Sequence, residues 1–139
     1  MKLLDLEPRF VIYFTQVAKI KVVDGDPNTW RERGCPTQEK TVVQEVKRYV
    51  QTLTEAQGIL FLCPKCFGPN GKIGCHYCEV TFDLPDVPDG IGTHNSAGNS
   101  VRWKVTGTNY ADLSTMPSIL VEGGCDWHGY ITNGQVTTV

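Results

Sequence analysis

Six cysteines and three histidines are the residues of this 139-residue chain whose types suit metal chemistry. Cys63-Pro64-Lys65-Cys66 is a C-x2-C pair, a spacing at which one tight turn aims two thiolates at the same tetrahedral ion. Two other segments compete to complete the coordination. Cys75-His76-Tyr77-Cys78 is a second C-x2-C after a gap of eight residues, and Cys125-Asp126-Trp127-His128 is a C-x2-H far downstream. The near pair would close a compact four-cysteine knuckle within one hairpin. The distant pair would close a long loop through the metal, which constrains the chain more and stabilises a small domain more. Both Cys63/Cys66 and Cys125/His128 are flanked by Gly or Pro, in Phe67-Gly68-Pro69, Gly123-Gly124 and Gly129, as close backbone approach to a metal requires. The spacing therefore favours one zinc ion on Cys63, Cys66, Cys125 and His128, with Cys75 and Cys78 as replacement or additional ligands.

Three cysteines and one histidine fill all four positions of a tetrahedral zinc, and thiolate donation makes the ion a poor Lewis acid, so the site reads as structural. No catalytic residue is assigned. Glu122 and Asp126 are near enough in sequence to serve an open zinc, which keeps metal-dependent hydrolysis as an alternative. A nucleobase deaminase would need His-x-Glu ahead of Pro-Cys-x-x-Cys, and no such motif precedes Cys63. A redox role for Cys63-Pro64-Lys65-Cys66 needs a helix beginning there, and Gly68-Pro69-Asn70-Gly71 argues against one. Three disulfides belong to short exported chains, whereas Asp5, Glu7 and Arg9 interrupt the N-terminal segment before a signal-peptide core can form. Cys35 has no partner at metal-ligand spacing and reads as a buried thiol, His94 as solvent-exposed, and Trp103 and Trp127 as core.

The elements expected to position these residues are short. Phe10–Phe14 and Val17–Val23 read as two strands ending at Asp24-Gly25-Asp26-Pro27. Val42, Val43, Val46, Tyr49, Val50 and Leu53 share one side of a 3.6-residue period, predicting one packed helix over about Thr37–Gln57 with Gly58 as its left-handed stop. Ile59–Leu62 is then a buried strand delivering Cys63. Further strands are expected at Glu79–Phe82, Val101–Val105 and Ile119–Val121, with a Pro/Gly/Asn-rich, partner-facing loop from Leu84 to Ser100. Tyr130–Thr132, Asn133-Gly134 and Gln135–Thr137 form a hairpin signal, because Asn-Gly suits a type I′ turn. The sum is a small α+β, mainly β, single domain over 1–139, of short antiparallel strands with one helix, stapled by zinc.

The charge of -2, from 13 Lys+Arg against 15 Asp+Glu, gives little attraction to phosphate backbones and makes nucleic acid an unfavoured partner; a zinc-ribbon nucleic-acid binder is retained only as an alternative. No run approaches the roughly 20 apolar residues of a membrane span.

Several segments together resemble a family of small zinc-binding-type domains common in bacteriophage and prophage genomes, whose members are sometimes labelled ammonia monooxygenase. They are Leu6-Glu7-Pro8-Arg9, the run from Gly58 to Cys66, Trp103, Pro117-Ser118-Ile119, Gly123-Gly124-Cys125-Asp126-Trp127-His128-Gly129 and Thr132-Asn133-Gly134. The resemblance implies that Cys125 and His128 partner Cys63 and Cys66, and it implies a phage source. It carries no activity, and three scattered histidines do not suit a copper or iron oxygenase. The expectation is a non-enzymatic phage accessory or virion-associated protein, in the virion or host cytoplasm, with a phage structural or host protein as partner.

Overall fold

The computed structural model of this protein describes residues 1–23 and 37–139. The turn expected at Asp24–Pro27, and Cys35, lie outside the described residues. Two compact units are present, Met1–Tyr13 with Lys47–Val139, and Phe14–Val46.

Among the described residues, nine strands and one short helix follow in chain order: β1 (Arg9–Val23), β2 (Thr37–Val50), β3 (Gly58–Leu62), α1 (Pro64–Asn70), β4 (Tyr77–Thr81), β5 (Lys104–Thr106), β6 (Ser114–Met116), β7 (Ile119–Leu120), β8 (His128–Thr132) and β9 (Gln135–Thr138), after a 3-10 turn at Leu3–Leu6. They form a four-stranded sheet in the order β2-β1-β3-β4, a β5-β6 pair and a three-stranded sheet β7-β8-β9. The mainly β, α+β class expected from the sequence is present. Among the described residues, no helix is long and apolar enough to cross a membrane.

The helix expected at 37–57 is not there; Thr37–Val50 is a strand, and among the described residues the α-helix is Pro64–Asn70. The physical reason lies in the apolar spacing. Val42, Val46 and Val50 are the half-buried residues of β2, and a four-residue interval suits a helix face while also being an even number that keeps side chains on one face of a strand. Valine's stiff, branched side chain favours the strand, and β1 supplies the neighbour in the sheet. Val43 and Tyr49, 68% and 62% exposed, fall on the other face. β1 is likewise one continuous strand where two were expected.

Gly58 is required for space rather than for a helix stop. Its Cα lies so close to the Tyr13 hydroxyl and the Val80 carbonyl that a Cβ would meet both. β3 therefore packs tightly between β1, through Phe10 opposite Ile59, and β4, through Phe61 opposite Cys78. Its inward side chains Ile59 and Phe61 are fully buried with Phe10, Val80 and Phe82.

The expected C-terminal hairpin is present, with Thr132 opposite Gln135 and with Asn133 and Gly134 at φ 48° and 71°, the positive values a type I′ turn needs. Leu3 donates its N–H to the Gly134 carbonyl and Lys2 bridges to Gln135, so the N-terminal turn, with Leu3 and Leu6 fully buried, is held against that hairpin. Trp127 joins the sheets through the core: it is 1% exposed, meets Phe61 edge-on at 6.0 Å and donates its indole N–H to Thr138 Oγ1 at 3.0 Å. Gly129 makes room for that indole.

A Gly129→Ala substitution would drive a methyl into the Trp127 ring and the Thr137 carbonyl. We expect it to lower unfolding free energy by about 1–3 kcal/mol or more, read by urea denaturation. Gly68→Ala, where the added methyl meets open space, should leave stability within about 1 kcal/mol.

Candidate metal centre

β3 ends at Leu62 and hands the chain to α1 through Cys63, whose extended backbone (φ -61°, ψ 121°) makes it the helix N-cap. A helix therefore does begin at this C-x2-C, contrary to the sequence expectation. Proline at the first helical position costs nothing, because that N–H lacks an intrahelical acceptor, and Pro69 falls near the end of a helix only seven residues long. One turn brings Cys66 back beside Cys63, and Phe67 donates its N–H to the Cys63 carbonyl at 2.9 Å.

The antiparallel register of β3 and β4 supplies the next donor. Leu62 pairs with Tyr77, and one step further the Cys63 N–H donates to the His76 carbonyl at 2.8 Å. His76 thus stands opposite Cys63, with its Nε2 3.0 Å from Cys125 Sγ. Cys125 arrives on the loop between β7 and β8. Gly123, Gly124 and Asp126 there have φ of 81°, 60° and 52°, and the Asp126 carboxylate accepts the Gly123 N–H at 2.9 Å, closing a tight turn with Cys125 at its apex. Lys65 Nζ donates to the Cys125 carbonyl at 2.6 Å and ties that turn to α1.

The result is a group of Cys63, Cys66, His76 and Cys125 whose ligand atoms all lie within 4.8 Å of one another, with Cys63 and Cys125 Sγ 3.2 Å apart. Tetrahedral zinc with thiolate bonds of about 2.3 Å has S···S edges of roughly 3.8 Å, so one ion can reach all four donors after small adjustments. Three sulfurs and an imidazole nitrogen suit a soft or borderline divalent metal.

Three of the four ligands expected from the sequence, Cys63, Cys66 and Cys125, are brought together, and the fourth side chain in the group is His76, while His128 lies outside it. His128 begins β8 opposite Leu120, and its Nε2 lies 2.9 Å from Ser118 Oγ. The C-x2-H segment is not one metal-binding turn, because Trp127 between its ends is committed to the core. His76 lay hidden inside the second C-x2-C. Its legible signal was the strand register: a hairpin that pairs Leu62 with Tyr77 places residue 76, not 75 or 78, beside Cys63. Cys78 is 1% exposed and opposite Phe61, packed as a core residue. Cys75 Sγ points to the Cys63 carbonyl at 3.4 Å.

No protein-family model, curated protein or solved structure matches this chain.

The electrostatics at the cluster follow from crowding. Burial works against ionisation of Cys63, yet hydrogen bonds from the Cys66 backbone, the Cys125 side chain and the Lys65 backbone hold its thiol below the ordinary value. Desolvation, then the neighbouring Cys63 and Cys125 sulfurs, push Cys66 up to about 11. The hydrogen bond with Cys125 raises His76, and burial raises Cys75 and Cys78. The two carboxylates nearest in sequence are engaged: Glu122 accepts the Ser96 N–H and Asp126 the Gly123 N–H.

His76→Ala should lower zinc affinity by at least about tenfold, whereas His128→Ala should leave it within about threefold, measured by competition with a chromophoric chelator. The sign of the pH dependence is also set. Cys66, at about 11, carries its proton at neutral pH in the metal-free protein, so metal binding displaces protons and affinity falls as pH falls. Titration of metal into weakly buffered, metal-free protein near pH 7 should release about one to three protons per ion; no release would contradict thiolate ligation.

Proposed function

We propose that this protein is a non-enzymatic interaction protein whose fold is stapled by one structural zinc ion on Cys63, Cys66, His76 and Cys125. The observation that carries this reading is the convergence of four soft or borderline donors from three separate chain segments on a single point. Four protein ligands complete a tetrahedral zinc shell and leave no position for an exchangeable water, and both nearby carboxylates accept backbone N–H groups, Glu122 from Ser96 and Asp126 from Gly123. Zinc in such a shell neutralises the thiolates and fixes the three segments; binding to it is then part of folding.

The role we infer is that of a phage accessory or virion-associated protein contacting a phage or host protein, on the sequence resemblance described above. The charge of -2 makes a nucleic-acid backbone a poor partner by comparison.

X-ray absorption at the zinc edge tests the site: three sulfurs and one nitrogen are expected, and a coordinated water would favour the hydrolase alternative. Chelation should abolish the cooperative near-UV circular dichroism transition, and a metal-free protein with unchanged melting would overturn the staple. Co-sedimentation with phage particles, or capture by a purified phage or host protein, tests the role.

A further inference from the structure

A groove of about 670 Å³ lies between β4, the edge strand of the four-stranded sheet, and β7, the edge strand of the three-stranded sheet. Its floor is apolar: Cys78, Trp103 and Ile119 line it and are each nearly buried. Part of the 84–100 loop, from Thr93 to Ser96, forms the rim.

The directions of the backbone groups along both walls follow from hydrogen bonds already fixed. On β4, Cys63 N–H reaches the His76 carbonyl and Phe82 N–H reaches the Gln57 carbonyl, at 2.8 and 2.9 Å. Residues 76, 78, 80 and 82 therefore point their main-chain groups at β3, and Tyr77, Glu79 and Thr81 point theirs the other way. The Thr81 carbonyl accepts the Trp103 N–H at 3.0 Å, the Glu79 carbonyl accepts Thr93 Oγ1 at 3.2 Å, and the Tyr77 carbonyl meets the His76 ring at 3.3 Å. Where this edge lines the groove, among the described residues, what remains is the N–H groups of Tyr77 and Glu79.

On β7, Val121 N–H donates to the Trp127 carbonyl at 2.8 Å, which turns Ile119 and Val121 toward β8 and Leu120 away from it. Leu120, 52% exposed, thus presents both an N–H and a C=O outward. One wall offers donors and the other a donor and an acceptor, beside an apolar floor. Such edges are templates for another strand.

We propose that the groove binds an extended peptide segment of a partner protein, which adds as a strand between β4 and β7 and places a Lys or Arg side chain at Glu122. Charge selects this occupant: among the described residues, Glu79 and Glu122 are the charged carboxylates lining the groove and no Lys or Arg lines it. Glu79 is already paired with Lys47 at 2.7 Å, so Glu122 carries the unneutralised charge. An extended chain fits where a helix does not, because a helix has its main-chain groups bonded internally and leaves none for the edges. The inference rests on the interaction role proposed above and names the partner's chemistry. The metal also bears on it, since His76 adjoins Tyr77 on one wall and Cys125 is two residues beyond Gly123 on the other.

The test pans metal-loaded protein, its fold and metal content verified on the same sample, against a display library of random linear peptides. The expected consensus alternates apolar residues and includes Lys or Arg. Resynthesised with single N-methyl groups stepped along its backbone, the best peptide should lose affinity at the one position whose N–H meets the Leu120 carbonyl, because Leu120 supplies the acceptor on one wall alone. Leu120→Pro should weaken binding about tenfold, the worth of one edge hydrogen bond, while Leu120→Ala should not. Glu122→Gln, which removes the charge and keeps an acceptor for the Ser96 N–H, should also weaken it. No selected peptide, indifference to N-methylation, or binding unchanged by Glu122→Gln would overturn the proposal. A protein that stays folded without metal overturns the zinc staple alone, whereas a folded, loaded protein that selects no peptide overturns the groove alone.

Discussion

Cys63 and Cys125 are 62 residues apart in sequence, and their sulfurs are 3.2 Å apart in space. Thiols that close, with a third sulfur and an imidazole beside them, repel one another as soon as they ionise, and desolvation together with the neighbouring Cys63 and Cys125 sulfurs pushes Cys66 up to about 11. A cation bound among them would replace that repulsion with four attractions. Two local elements are shaped to bring the four donors together. A helix of seven residues is too short to persist alone, and the Gly123–Asp126 turn carries three residues with positive φ. Both are elements whose shape is justified by what they hold.

The metal cluster and the apolar core divide the labour of joining the sheets. Trp127 is the hinge between the two systems, two residues from Cys125 and edge-on to Phe61, which is itself two residues before Cys63. On the other side, Trp103 continues the edge of β4 and donates its indole N–H to the Ser118 carbonyl just ahead of β7, at 3.2 Å. Trp103 and Trp127 therefore each span from one sheet to the next with the ring in the core and the single donor satisfied, an arrangement suited to a large amphipathic side chain.

How much of this was legible depended on whether a signal was local. The Asn133-Gly134 hairpin, the buried strand at Ile59–Leu62 and the first C-x2-C were legible because neighbours in sequence decide them. β2 was misread because Val42, Val46 and Val50 satisfy both periods, and only the presence of β1 beside them settles the matter. Gly58 was read as a helix stop because its true constraint, the Tyr13 hydroxyl, is far away in sequence. His76, rather than His128, stands beside the three cysteines for the same reason: the pairing of β3 with β4 places it there, a long-range register that a spacing motif does not encode. The groove was invisible as a site, since its polar groups are mainly backbone.

The antiparallel bridge between Lys2 and Gln135, together with the Leu3 N–H to the Gly134 carbonyl, bears on how the protein is made. Leu3 and Leu6 are sealed into the core by a hairpin that is synthesised more than a hundred residues later. On the ribosome, Leu3 and Leu6 must wait, without their packing partners, until the β8-β9 hairpin clears the exit tunnel. Native closure of this unit therefore follows synthesis of that hairpin, and the leucines stay exposed in the interval.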